Sequence, residues 1–241
     1  MKPTIASRRD PTAGRRLSTL PAVHSVEAAP VEKPLLRGWT HVVSFPVMLV
    51  VGVFMILLAN ATLTGRLLLG VYVGGTATMF CVSAMYHRGR WTPRVRARMQ
   101  KLDRSAIFLA IGGGYTPIAF VCLDGRLRIL VLAGAWIGAA IGIAMQWIPS
   151  VPPTWRGASY MVVSWIAVFT FPQLARGLGT VGFALVLVGG VCYTIGAIAL
   201  ATKWPNPWPR VFGFHEVFHA FTVVASVLQF IAIAYTVVPR L

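Results

Sequence analysis

Acidic residues and paired cysteines are scarce in this sequence. Only six of its 241 residues are Asp or Glu and 12% are charged, whereas 56% are hydrophobic. This composition excludes an ordinary soluble globular domain. The three cysteines, Cys81, Cys122 and Cys192, each lie within an apolar run and form no C-x-x-C pair. We therefore expect neither a disulfide framework nor a cysteine-bound metal.

The formal charge of +16 does not indicate a nucleic-acid partner. The basic residues cluster in the amino-terminal stretch and between apolar runs, and no basic soluble domain is present. Membrane topology accounts for that distribution. The partners expected from the sequence are membrane lipids, with no nucleic acid.

Seven uninterrupted apolar segments each approach the ~20 residues that a helix needs to cross a ~30 Å hydrocarbon core. We predict helices near 39–59, 67–86, 104–122, 127–147, 157–175, 181–201 and 212–237. Residues 1–36 lack periodicity and are rich in Pro, Ala, Ser and Arg, so they are predicted to form a disordered, basic cytoplasmic arm. The predicted fold class is an all-α integral membrane protein, with a seven-transmembrane helix bundle over residues 37–241.

The basic residues predict the orientation of this bundle. With the amino terminus inside, sixteen Lys and Arg residues lie in the arm and inner loops, against five outside, and Arg104 lies at the inner edge. Positive charge favours the cytoplasmic side, so the amino terminus is predicted to be cytoplasmic and Leu241 to lie outside. The expected location is the cell (plasma) membrane, crossed several times.

A metal-binding pattern opens the last apolar segment. His215 and His219 are four residues apart, so on a helix both imidazoles project from one face. With Glu216 they fit H-E-x-x-H, in which two histidines hold zinc and the glutamate acts as general base. A third ligand must come from elsewhere in the chain.

Depth in the membrane indicates where that ligand lies. His87 ends the second predicted helix and Asp103 opens the third, both on the cytoplasmic side where His215 and His219 begin the seventh. Three neutral histidines would give zinc an open catalytic site with a bound water. Asp103 would hold and deprotonate that water. Ser83, one turn before His87, would orient the water or a developing oxyanion.

Each of these residues also has an ordinary structural interpretation. His87 fits a helix-end residue, Asp103 fits an acid favoured by the dipole of a helix N-terminus, and Ser83 fits a hydroxyl bonded to its own backbone. His215 and His219 would then be hydrogen-bonded core histidines. Of the remaining two, His24 lies in the arm, and His41 at the inner start of the first helix fits an interfacial residue.

The combined motifs resemble the hemolysin III branch of the progestin and adipoQ receptor family. They are Ser83-x-x-x-His87, Leu102-Asp103-Arg104-Ser105, Gly114-Tyr115-Thr116-Pro117, Pro205-Asn206-Pro207 and Phe212-Gly213-Phe214-His215-Glu216-Val217-Phe218-His219. The resemblance covers about 35–238. It implies seven transmembrane helices and an intramembrane zinc, bound by the residues matching His87, His215 and His219 and with its water held by the match of Asp103. It also implies kinship with alkaline ceramidases in a wider group of membrane-embedded hydrolases.

The sequence departs from that family at Gln229, where relatives often carry a further histidine. Gln229 lies ten residues beyond His219, about 15 Å along a helix, which is too far to bind the same metal. The metal assignment is therefore unaffected by the difference.

Four functions remain open at the level of sequence. The first is a zinc-dependent hydrolase of a lipid amide or ester. The second is a receptor-like sensor of membrane homeostasis whose zinc is structural, and the third is a pore-forming cytolysin, disfavoured because polar residues are too few to line a channel. The fourth, a site-2-type protease, is suggested by Leu123-Asp124-Gly125. That element precedes the histidine motif instead of following it, and Asp124 falls on the opposite membrane face.

Overall fold

The computed structural model describes residues 33–241, and within them the secondary structure is helical apart from loops and a single isolated bridge. The helices are α1 (Trp39–Leu58), α2 (Leu63–Arg88), α3 (Pro93–Cys122), α4 (Gly125–Trp147), α5 (Pro153–Ser164), α6 (Phe171–Thr202) and α7 (Phe214–Ala232). A short 3₁₀ helix, Ile166–Thr170, joins α5 to α6, and the chain stays helical past α7 to Arg240. The predicted all-α fold is confirmed. Most of the predicted arm, residues 1–32, lies outside the described residues.

Six helical segments of the described chain are long and apolar enough to span a membrane. One of them, Pro153–Thr202, has 50 residues and contains α5 and α6. Large apolar side chains remain exposed on the outer faces, for example Val47, Phe54, Ile129 and Ile137. Exposure of such large apolar faces to water would be unfavourable, whereas the hydrocarbon of a lipid bilayer solvates them well. The protein is therefore an all-helical membrane protein.

The 50-residue segment is not straight. Gly179 interrupts α6 with φ 68° and ψ 173°. This backbone conformation is not helical, and its positive φ favours glycine. Trp165 Nε1 donates to Thr194 Oγ1 at 3.1 Å, and the rings of Phe171 and Phe183 are 5.3 Å apart. In one straight helix residues 165 and 194 would be about 43 Å apart. The chain therefore folds back at Gly179.

Helix α3 is longer than the apolar run predicts. It begins at Pro93, the proline standing at the first helical position after Thr92, whereas the predicted segment began at 104. The extra turns carry four basic residues of the predicted loop, Arg94, Arg96, Arg98 and Lys101. As a result Asp103 lies well inside the helix, and the interpretation of Asp103 as an acid at a helix N-terminus does not apply.

Helices α2 and α3 approach closely at two glycines. A Cβ at Gly75 would lie 2.4 Å from the Leu109 carbonyl oxygen, and a Cβ at Gly113 would lie 2.9 Å from that of Val71. Small residues allow this approach of backbones in membrane helices. The contact aligns the end of α2 that carries His87 with the part of α3 that carries Asp103.

We expect Gly75→Ala to destabilise the protein by about 1–3 kcal/mol, because the added methyl meets a backbone oxygen that cannot turn away. Gly74→Ala is the matched control, since its methyl would meet nothing within 4 Å and alanine favours a helix. Thermal unfolding of the two purified proteins in one detergent measures the difference. Equal midpoints would contradict this account of the α2–α3 contact.

Candidate metal centre

Three histidines from two helices meet at one end of the bundle. His87 is in the last turn of α2, and His215 and His219 are in the first two turns of α7. One ring nitrogen from each can be chosen so that all three lie within 4.8 Å of one another. The pair on α7 comes together because helix geometry stacks residues four apart, whereas His87 is brought there by packing.

The nitrogen atoms are arranged as ligands of a metal would be. His87 Nε2 and His215 Nε2 are 3.2 Å apart, close to the roughly 3.3 Å that separates two ligands of a tetrahedral zinc with Zn–N bonds of ~2.0–2.1 Å. His219 is 2% exposed, and its Nε2 has no hydrogen-bond partner. Buried polar atoms without partners are rare and costly. The three imidazoles therefore fit a single metal ion.

Ser83 lies on α2, four residues before His87, and Asp103 lies on the neighbouring helix α3. Ser83 is 2% exposed, and its Oγ is not bonded to its own backbone. The Asp103 side chain on α3 neighbours Ser83 and Arg104. Ser83 is one turn from His87 on α2. The catalytic roles assigned to Ser83 and Asp103 stay predictions.

Glu216 is held in a structural role at the start of α7. Its Oε1 accepts from Arg37, and its Oε2 accepts from the backbone N–H of Gly213 at 2.9 Å. The second bond caps the helix N-terminus, as a carboxylate at this position commonly does. Glu216 is 1% exposed. Both carboxylate oxygens are thus engaged, which disfavours Glu216 as the general base of an H-E-x-x-H enzyme.

A juxtamembrane segment, residues 34–41, ties the start of α1 to the centre. The backbone N–H groups of Leu35 and Leu36 donate to the carbonyls of Arg210 and Val211 at 3.0 and 3.1 Å. Gly38 has φ +82°, and a Cβ there would lie 2.6 Å from the Cβ of His87. Residues 35 and 36, expected in the disordered arm, therefore pair with the loop that precedes α7.

His41, the last residue of the juxtamembrane segment, is a site neighbour that sequence reasoning missed. The sequence predicts an interfacial residue at this position, but His41 is 2% exposed, and its Nε2 lies 3.1 Å from Nδ1 of His219. Its own Nδ1 has no partner. The available signal is its depth, since His41 lies in the first turn of α1 at the end of the bundle that holds the other histidines.

Several cations lie near the end of the bundle that holds the histidines. Arg88 stacks on Trp39 at 4.7 Å, and Arg96 lies 5.7 Å from the ring centroid of Tyr86. Partial burial and the nearby cations Arg96, Arg37 and Arg88 lower the pKa of Lys33. Together these groups make a local surface that attracts anions.

Two other candidates lie away from the centre. The Asp124 side chain is exposed and pairs with Arg128 at 3.3 Å just beyond the far end of α3, so it adds nothing to the histidines. Gln229 packs against Gly114, where a Cβ would be 2.2 Å from its Nε2. Between Gln229 and His219, Ser226 bonds to the Thr222 carbonyl and to the Tyr193 hydroxyl. The deeper polar side chains of α7 thus bond within the bundle.

The fold and the centre define a class: a multi-pass, all-helical membrane protein with a three-histidine cluster suited to one metal ion. The sequence pattern of the family described as "Haemolysin-III related" matches residues 30–230. The chain belongs to this family, as its motifs predicted, and is a multi-pass protein of the cell membrane.

Two relatives are similar over more than half of the chain. "Hemolysin-3" of Bacillus cereus is 31% identical over 149 residues, which cover 61% of this chain and 65% of the relative. "Hemolysin-3 homolog" of Bacillus subtilis (strain 168) is 26% identical over 138 residues, which cover 57% of this chain and 62% of the relative. The matches therefore span just under two thirds of each relative's length.

Proposed function

We propose that this protein is a membrane-embedded zinc-dependent hydrolase of a lipid amide or ester. The observation that carries the proposal is the meeting of three histidine ring nitrogens at the end of the bundle where Ser83 precedes His87 by one turn and Asp103 neighbours Ser83. Hydrolysis needs a nucleophilic water, a base and a group that stabilises an oxyanion. The end of the bundle that holds the histidines has residues suited to each of these tasks.

Zinc suits this ligand set better than harder cations. Neutral imidazoles are ligands for borderline metals, whereas Mg²⁺ and Ca²⁺ prefer oxygen ligands. In the described part of the chain the clustered metal-binding residues are the three histidines, with no cysteine among them. When bound by three histidines, zinc supplies a water whose pKa is lowered to about 7.

The chain's own residues divide the remaining work. Asp103 accepts the proton of the attacking water as its oxygen bonds to the carbonyl carbon of the substrate, and then returns the proton to the leaving amine or alcohol. Ser83 donates its hydroxyl to the water or to the oxyanion. Glu216 keeps Arg37 and the start of α7 in place and takes no part in proton transfer.

The substrate class follows from the surroundings of the centre. His87 and His215 are only partly buried, on helices whose outer faces meet lipid, so we infer that a molecule with an acyl chain reaches them from the membrane. The cations near the histidines, including Lys33, Arg88 and Arg96, would hold the polar headgroup of the substrate at the membrane surface. An acyl amide or ester with its scissile carbonyl near the headgroup fits both conditions.

A receptor-like sensor with structural zinc is the main alternative. A closed structural site needs a fourth protein ligand, and a catalytic site keeps one position for water. The cluster offers three residues, which favours the open site. A cytolytic activity, suggested by the relatives' names, has weaker support because the deeper polar groups of α7 bond within the bundle.

We further propose seven crossings with the amino terminus in the cytoplasm. The 50-residue apolar segment would be about 75 Å long as one helix, more than twice the ~30 Å hydrocarbon thickness. Its reversal at Gly179 supports two crossings in place of one. The excess of basic residues on the arm side supports the orientation.

Reporter fusions at Leu241 and within residues 1–32 test this topology. We expect the amino-terminal reporter to be active in the cytoplasm and the carboxy-terminal reporter outside, since seven crossings place the ends on opposite sides. A third fusion at Gly179 should report the outer side. Two ends in one compartment would contradict the count, and a cytoplasmic Gly179 would contradict the orientation.

Release of fatty acid from acyl amides and esters by the purified, zinc-loaded protein in lipid bilayers tests the enzymatic proposal directly. The expected result is turnover that depends on zinc and on Asp103. A protein that holds zinc but cleaves no substrate of either class would favour the sensor.

A further inference from the structure

His41 forms a buried pair with one of the metal-site histidines. His41 Nε2 and His219 Nδ1 are 3.1 Å apart, and the two rings meet edge to face with centroids 4.1 Å apart. Both residues are 2% exposed. The other edge of His41 lies near Phe80, with centroids 5.0 Å apart. The contact thus lies inside the bundle, away from competing water.

The pair uses the Nδ1 edge of the His219 ring. Nδ1 of His219 points to His41, so its Nε2 is the nitrogen left for a metal. The cluster of residues that fit one ion includes His87, His215 and His219 and does not include His41. His41 therefore stands behind a ligand and is not positioned as a fourth ligand.

We propose that His41 is a positioning residue that fixes the tautomer and ring orientation of His219. This inference rests on the proposed metal site. A neutral histidine that binds a metal through Nε2 carries its proton on Nδ1. His219 then donates to His41 Nε2, and His41 accepts as the tautomer protonated on its own Nδ1. Outer hydrogen bonds of this kind orient metal-binding histidines and raise their basicity.

A purely packing role does not explain the choice of residue. His41 leaves its Nδ1 without a partner in a buried place, which is unfavourable for any polar group. Phenylalanine would fill a similar volume beside Phe80 without that cost. The histidine is therefore explained by what its Nε2 accepts.

Matched variants at His41 separate hydrogen bonding from packing. His41→Phe keeps an aromatic ring and removes the acceptor, whereas His41→Gln keeps an acceptor oxygen. We expect His41→Phe to weaken zinc affinity by about 10- to 100-fold, measured by competition with a chelator, and His41→Gln to recover most of it. Equal affinity of His41→Phe and the wild type would overturn the proposal. So would equal losses in the two variants.

Cobalt substitution tests whether His41 is a ligand instead. The visible spectrum and the X-ray absorption of the Co²⁺ protein count nitrogen ligands. We expect three histidine nitrogens in the wild type and in both variants. Loss of one nitrogen in His41→Phe would assign His41 to the metal and overturn a positioning role. These readouts do not depend on turnover, so they remain decisive if the hydrolase proposal fails.

Histidine nitrogen NMR of the zinc-loaded wild type covers the case in which His41→Phe does not fold. Selectively labelled protein should show His219 protonated on Nδ1 and His41 protonated on Nδ1 with an accepting Nε2, His41→Gln providing the assignment. A His41 protonated on Nε2 would be a donor to His219. That result would contradict the proposal without any folding-sensitive variant.

Discussion

Alanine at any one of His87, His215 or His219 is expected to remove most of the metal from the purified protein. The wild type should carry about one zinc per chain, because three neutral imidazoles suit this ion. Two remaining histidines cannot hold it comparably. The loss in affinity should exceed the roughly 100-fold upper end seen when only an outer hydrogen-bond partner is removed.

Elemental analysis of the purified variants measures this effect. His24→Ala is the control, since it removes a histidine from the part of the sequence outside the described residues. It should retain the full zinc content. Retention of full zinc by all three variants of the cluster would eliminate the site. Loss in only two of them would reduce it to a pair and reopen the search for a further ligand.

Asp103→Asn is expected to lower hydrolysis by about 10²–10⁴-fold, the usual effect of losing a general base. Asparagine keeps the size of the side chain and its ability to hydrogen bond, but it cannot accept the proton of the water. Three histidines hold zinc without it, so the metal content should change little. Zinc must be measured alongside activity because a lost hydrogen bond can itself weaken metal binding.

Glu216→Gln provides the matched comparison, since it neutralises the carboxylate of the H-E-x-x-H motif. We expect it to leave turnover per zinc-loaded molecule within a few-fold and to lower stability by on the order of 1–3 kcal/mol, through the weakened contact with Arg37. The opposite pattern, with turnover abolished by Glu216→Gln and kept by Asp103→Asn, would assign the base to Glu216. If zinc is bound and no substrate is cleaved, the sensor replaces the enzyme.

The structure differs from the sequence-based predictions in where helices end and in which side chains are buried. Helix α3 begins eleven residues before the predicted 104, at Pro93, because basic and polar residues can continue a helix beyond the hydrocarbon core. The two apolar runs predicted on either side of Gly179 are separated there by a non-helical residue, where the chain folds back. The apolar residues of a segment indicate which part of it lies in lipid. They do not indicate at which residue the helical hydrogen bonding ends.

The sequence by itself determined the membrane class, the family and three of the four histidines at the centre. Long apolar runs must become helices in lipid because every backbone polar group needs an internal partner. His215 and His219 meet because residues four apart share a helix face. His87 was found because it shares their depth and the family's motif. All of these arguments use distance along the chain or along one helix.

Only the tertiary structure decided what the remaining groups do. Whether His41 faces lipid, headgroups or the bundle depends on the rotation of α1, which is set by packing against α2 and α7. The engagement of Glu216 by Arg37 joins residues 179 positions apart. Both contacts depend on how separate helices and the juxtamembrane segment pack. No local pattern encodes such packing, because it is the sum of many weak contacts between distant parts of the chain.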